Sequence, residues 1–347
     1  MNLETFLRRP ARAADFDFKA LMGDYYQSHA GRHTRSRTYP NILRETAKVA
    51  GARDHIRRWY LYRTADETYY PRKYRFDCDS SNGTCGLTDE IYGALWGDLA
   101  ASGRFGGDTM HSFAYPFNAF SGTRGFRTGY ERYRTDREFR DRAREALGEY
   151  ARRVGCVGNF VLVPLGYNRA RGFSTALADY WDLSLDALKR DKDGKGWLKK
   201  AGLPFGRYIN RLFLWEDVEP DGTGGYRVRP LFPGHGGLMG GGRPRSPGHV
   251  RPTAQEVEPF VRSANSCIRR RSVFTVAMLR IARAAPADYA RLVEAVFDTD
   301  RCLGTTEQVV ERLRAVEGLT KKTGRILGGL ALPAGAANIR KRGQHAK

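Results

Sequence analysis

Apolar residues recur at helical spacing in several separate stretches of this chain, and only in a few places do they alternate or run together. Ile91, Tyr92, Leu95, Trp96 and Leu99 form one stripe, with Thr88 as its expected cap. A second covers residues 131–154, where Phe139, Ala143, Leu147, Tyr150, Ala151 and Val154 oppose a charged face. Shorter helices are expected over 41–49 behind Asn41, within 177–190 and 207–218, and over 286–298, which presents Tyr289, Leu292, Val293, Val296 and Phe297. Thr253 with Glu256, and Thr305 with Gln308, have the spacing of a capping box. The first opens a long helix, and the second opens one that buries Val309, Val310, Leu313 and Val316.

Strand signals are fewer. Residues 159–167 form a continuous apolar, β-branched run between Gly158 and Gly166, the pattern of a fully buried strand. Residues 69–78 alternate aromatic and basic side chains ahead of a turn at Asn82 and Gly83, and 226–232 also alternate. Residues 103–129, rich in Gly, Ser and Phe, read as loops with short strands. Strands set among helices without regular βα alternation exclude a doubly wound parallel sheet. The expected class is α+β: helices around a short mixed or antiparallel sheet, followed by an all-helical C-terminal unit.

The stretch 233–252 is rich in glycine and proline and has no acidic residue, which predicts a linker. It divides the chain into a basic arm (1–40), an α+β domain (41–232), the linker, a helical unit (253–332) and a basic tail (333–347).

Charge adds a partner class. Net charge is +21, from 59 Lys and Arg against 38 Asp and Glu. A polyanion, nucleic acid first and an anionic membrane second, is the expected partner of such an excess. The competing explanation is an arginine-rich composition spread over every surface. The densest basic groups are Arg32, Arg35 and Arg37 in the arm, and Lys321, Lys322, Arg325, Arg340, Lys341 and Arg342 near the C-terminus. With 18 Tyr, 18 Phe and 5 Trp, disorder over the whole length is excluded. No apolar run reaches the roughly 18 residues of a membrane span, and no secretory signal is visible, so a cytoplasmic protein with reduced thiols is expected.

Candidate chemistry is sparse. His29 and His33 have an i,i+4 spacing, but no HExxH motif or Cys/His quartet is present, and no metal or dinucleotide motif is found. The glycines after residue 233 are followed by prolines rather than by a helix, which does not make a phosphate loop. Asp108 and His111 are candidates for proton transfer, as are Asp179 and Asp182. Tyr167, Asn168, Arg169, Arg171 and Gly172 follow the buried strand, where a loop could hold an anion. The alternative is structural, with Arg171 paired to Asp179 or Asp182 to fix that loop.

Over residues 76–220 the chain resembles an uncharacterised bacterial domain family. The residues that carry the likeness are Leu95 and Trp96 at a helix end with Gly103 and Phe105, the apolar strand 158–164, the Asn-Arg-Ala-Arg-Gly stretch 168–172, the run 179–185 and the helix 207–218. The chain departs from the family's pattern in the loop after Trp96 and at Tyr180. The resemblance implies a fold unit and a ligand-loop candidate, and no activity transfers with it. Three functions are therefore expected: a nucleic-acid-associated protein of the toxin, mobile-element or phage-defence kind; an enzyme acting on a nucleotide or phosphorylated small molecule; or a protein-interaction module.

Overall fold

The computed structural model describes residues 2–9, 13–16, 18, 61–63, 69–71, 86–111, 146, 149–150, 153–173, 180–190, 196–223, 225–239 and 254–335. Helix α1 (Leu3–Leu7) is capped by the Asn2 side chain, which accepts from the Thr5 N–H. Strands β1 (Leu61–Arg63) and β2 (Tyr69–Pro71) pair antiparallel. Helix α2 (Leu87–Ala101) begins earlier than its sequence predicts: Gly86, at φ +82°, is the N-cap, and Thr88 lies buried in the first turn. All five residues of the predicted stripe are buried. Strand β3 (Phe105–Thr109) pairs antiparallel with β4 (Phe160–Pro164), from Phe105 opposite Pro164 to Thr109 opposite Phe160. Every residue of β4 is buried, as its unbroken apolar run requires.

The chain continues through α3 (Tyr167–Phe173), α4 (Trp181–Arg190), α5 (Trp197–Lys200) and α6 (Phe205–Arg211). Residues 168–172, read from sequence as a loop, are thus a helical segment. Strands β5 (Val218–Pro220) and β6 (Tyr226–Val228) form a third antiparallel ribbon. After them come α7 (Pro233–Gly236), the 31-residue α8 (Ala254–Ala284) and α9 (Pro286–Leu292), which runs into a π-helical turn at Val293–Phe297. Helices α10 (Thr306–Arg314) and α11 (Lys321–Gly328) complete the described chain. The capping box of Thr305 and Gln308 forms as predicted, while Thr253 lies outside the described residues. The class is α+β with a helical C-terminal part, but among the described residues the strands make three separate two-stranded antiparallel sheets rather than one.

The helical part does not stand apart from what precedes it. Helix α8 presses on the 3₁₀ turn Val157–Asn159 so closely that a Cβ on Gly158 would meet the Ile268 carbonyl oxygen at 2.2 Å. Beside this contact Arg271, buried in α8, gives its donors to main-chain carbonyls: Leu212 at 2.7 and 3.0 Å, Gly158 at 2.7 Å and Phe160 at 2.5 Å. One guanidinium therefore joins α8 to β4 and to the end of α6. The Leu214 N–H reaches back to the Ile209 carbonyl at 2.9 Å, which puts Phe213 in the left-handed region at φ 59°. Glycine is the usual residue at such a helix end. Phe213 is held there by Phe274, Phe297 and Trp215, with ring centroids at 5.0, 5.2 and 5.7 Å. Hydrophobic residues from both sides of the predicted linker thus belong to one core, and the first residues of that stretch form α7, while 240–253 lie outside the described residues.

Candidate active site

Tyr180 precedes α4, which starts with Trp181 and Asp182, and all three are buried. At this helix start the Asp182 carboxylate receives main-chain N–H groups, from Leu183 at 3.0 Å on Oδ1 and from Leu231 at 2.8 Å on Oδ2. The same Oδ2 stands 2.6 Å from Nδ1 of His235, on α7. Both side chains are enclosed, at 2% and 0% exposure. Because the carboxylate accepts from two N–H groups already, the imidazole donates through Nδ1, and this fixes the tautomer. The lone pair is then on Nε2, which has no hydrogen-bond partner among the described residues.

A second histidine lies close by. His111 follows β3 and is held through its main chain, where its N–H donates to Asn159 Oδ1 at 2.9 Å and its carbonyl accepts from Asn159 Nδ2 at 3.0 Å. Among the described residues, neither ring nitrogen of His111 has a hydrogen-bond partner. Burial lowers its pKa to about 3; Asp182 opposes that shift, and Arg171 and Arg271 reinforce it. His111 is therefore a neutral imidazole within the field of Asp182. Phe260 packs edge-on against both histidine rings, with centroids 6.0 Å from each. Tyr150 lies 6.4 Å from the His111 ring, and Tyr180 and Phe232 lie 4.9 and 3.5 Å from the His235 ring. The two imidazoles share an aromatic enclosure.

Arg171 is buried on α3, over the Trp181 ring at 5.6 Å, with a hydrogen bond to the Thr109 carbonyl at 2.7 Å. Its carboxylate neighbour is Asp108 on β3, at 3.6 Å. The pairing anticipated with Asp182 is therefore corrected, while the alternative partner Asp179 lies outside the described residues. Asp182 is committed to His235, and the β3 strand brings Asp108 under α3. Of the other candidates, Tyr167 is buried and donates to the Ser184 carbonyl at 2.6 Å, while Asn168 faces solvent. Arg169 and Gly172 contribute their main chain to α3.

The fold thus gathers Asp108, His111, Arg171 and Asp182 around one region, and leaves Asn168 out of it. Lys321, Lys322 and Arg325 lie exposed on α11. Asp179, His29, His33, Arg32, Arg35, Arg37, Arg340, Lys341 and Arg342 lie outside the described residues.

His235 is the residue that sequence reasoning missed. It sits among glycines, and a glycine-rich stretch has no periodicity to mark one buried side chain. The usable signal was Pro233, a residue suited to the first turn of a helix. Among the described residues, no three His, Cys, Asp or Glu side chains converge as metal ligands. No family model matches the chain, and no curated protein or solved structure matches it.

Proposed function

We propose that the chain is an enzyme that performs proton transfer on a phosphorylated substrate, with His235 as general base and Asp182 as the group that orients it. The observation that carries this reading is the unpartnered Nε2 of an imidazole whose other nitrogen is fixed by a buried carboxylate. A carboxylate in that position holds the reactive tautomer and stabilises the imidazolium that forms when Nε2 takes a proton from water or a hydroxyl group. His111, neutral by burial, supplies a hydrogen-bond donor and an acceptor beside it. Arg171 supplies fixed positive charge, which favours an anionic substrate. Among phosphorylated compounds, nucleotides fit best with the chain's overall charge of +21.

The test compares wild type with His235→Gln against the four ribonucleoside monophosphates and triphosphates. Melting temperature and product release are both measured. Turnover in wild type, reduced about 10²- to 10⁴-fold in the variant while the fold persists, is the expected result. If wild type is neither stabilised by any of these compounds nor turns any over, the proposal fails.

A second reading, nucleic-acid binding, has its own support: Lys321, Lys322 and Arg325 face solvent on one short helix, and residues 318–347 contain no Asp or Glu. Elsewhere several arginines are already engaged by carboxylates, among them Arg207 with Asp300, Arg211 with Asp98 and Arg270 with Glu216. That pairing leaves less free charge than the net value suggests, and for this reason the enzyme reading comes first. Binding to duplex DNA or RNA that weakens steeply with salt, less so in a Lys321→Ala/Lys322→Ala variant, would favour the second reading.

A further inference from the structure

A second concave site lies away from the histidines, in the helical part of the chain. The π-helical turn at Val293–Phe297, the segment 299–303 and the end of α10 enclose a cleft of about 470 Å³. Its volume falls within the range of small-molecule pockets. Val296, Leu303 and Val316 supply an apolar interior, and Arg301 and Arg312 stand exposed at the rim. Among the described residues, no carboxylate lines it.

The segment that forms one wall is fixed from behind. Asn210, fully buried on α6, donates through Nδ2 to the carbonyls of Thr299 at 3.0 Å and Arg301 at 2.7 Å. Its Oδ1 accepts from the Leu303 N–H at 3.2 Å and from Trp215 Nε1 at 2.9 Å. Helix α6 approaches the same segment so closely that a Cβ on Gly206 would stand 1.9 Å from the Asp300 carbonyl oxygen. Asp298 and Asp300, the acidic neighbours of Arg301 in sequence, are taken up by Arg207 at 3.3 and 2.9 Å. Glu311, beside Arg312, is taken up by Arg314 at 2.8 Å. Among the described residues, Arg301 and Arg312 thus form no ion pair, over an apolar floor whose backbone is already ordered. A π-helical turn in the wall is a further feature that recurs at functional positions.

We propose that this cleft binds a small amphipathic anion, with its charged head between Arg301 and Arg312 and a short hydrocarbon body against Val296, Leu303 and Val316. Two planar guanidinium groups suit an oxyanion, and the apolar floor gains only from a ligand that brings apolar surface with it. A preordered wall lowers the entropy cost of binding.

Cys302, half-buried in the cleft, provides a local reporter. Burial raises its thiol pKa, so alkylation is slow enough to follow. Iodoacetamide labelling of Cys302 in the full chain, read by peptide mass spectrometry, is measured with hexanoate, hexanol or inorganic phosphate. Hexanoate at ten times its Kd should slow labelling about tenfold, by simple occupancy. Hexanol and phosphate at the same concentration should leave it nearly unchanged. The exposed pair of substitutions Arg301→Gln/Arg312→Gln should abolish the protection, read as the ratio of labelling rates with and without hexanoate in the same variant. The proposal is overturned if hexanoate gives no protection, if hexanol or phosphate protects equally, or if the double variant is still protected.

Discussion

Two buried polar regions of this molecule are finished in opposite ways. At the junction of α8 with β4 and α6, Arg271 is enclosed, and its bonds go to three main-chain carbonyls. Around Asp182, the enclosed groups are just as polar, yet His235 leaves one nitrogen without a partner and His111 leaves two. Burying a polar group without a hydrogen bond costs about 1–3 kcal/mol. A fold that gives each nitrogen of Arg271 an acceptor in one place and, among the described residues, leaves three ring nitrogens unmet in another has spent polarity on stability in the first and kept it available for chemistry in the second.

The sharpest way to break this comparison is Arg271→Met. It removes the partner of the Gly158, Phe160 and Leu212 carbonyls at once, and an expected loss of about 3–5 kcal/mol should appear as a lower denaturant midpoint. A loss below 1 kcal/mol would mean the junction is not held by that side chain.

The effect of pH comes next, and two groups oppose each other. His111 has its pKa lowered from 6.5 to about 3, so on acidification the unfolded chain takes up this proton first, and the fold loses stability from 6.5 down to about 3. Asp217 has the reverse sign. Burial raises its carboxyl from 3.8 to about 7, so the fold keeps a proton that the unfolded chain releases, and stability falls as pH rises from 3.8 through about 7. In wild type the two slopes offset one another between 3.8 and 6.5. Asp217→Asn should expose the acid sensitivity of His111, at most about 1.4 kcal/mol per pH unit. In His111→Phe the slope should reverse. Equal slopes in the two variants, followed by thermal unfolding, would show that these burials have been misassigned.

His111→Phe also tests the comparison at neutral pH. Replacing an unsatisfied imidazole by an apolar ring among Tyr150 and Phe260 should leave stability unchanged or raise it by about 1–2 kcal/mol, at the expense of any activity. Marked destabilisation would place His111 with Arg271, as a structural group. A smaller effect is expected far from both regions: Thr305→Ala removes the side-chain cap of α10 and should lower stability by about 1 kcal/mol.

The same contrast explains what could be read from the sequence. The stripe of α2, the buried run of β4 and the capping box of α10 are local patterns, and each formed as its residues dictate. The polar regions are not local. Asp182 and His235 are 53 positions apart, and the histidine sits in a stretch whose glycines and prolines resemble a linker. Arg171 found Asp108, 63 positions earlier, because β3 and β4 pair beneath α3, a contact that no sequence spacing announces. The run Arg269, Arg270 and Arg271 looks like solvent-facing charge on a helix, yet the last two are buried, one against carboxylates and one against carbonyls. Sequence periodicity identifies which face of an element is apolar. It does not show which cations the tertiary fold will enclose.

The central claim is that His235 keeps its proton on Nδ1 and offers a basic Nε2 to a phosphorylated ligand. Nitrogen-15 NMR of histidine-labelled protein, with His235 assigned by its Gln variant, tests it without a known reaction. The expected result is the Nδ1–H tautomer at neutral pH and an Nε2 resonance that shifts when a ribonucleoside phosphate is added. A proton found on Nε2 instead, or an Nε2 resonance that no ribonucleoside phosphate moves, would contradict it.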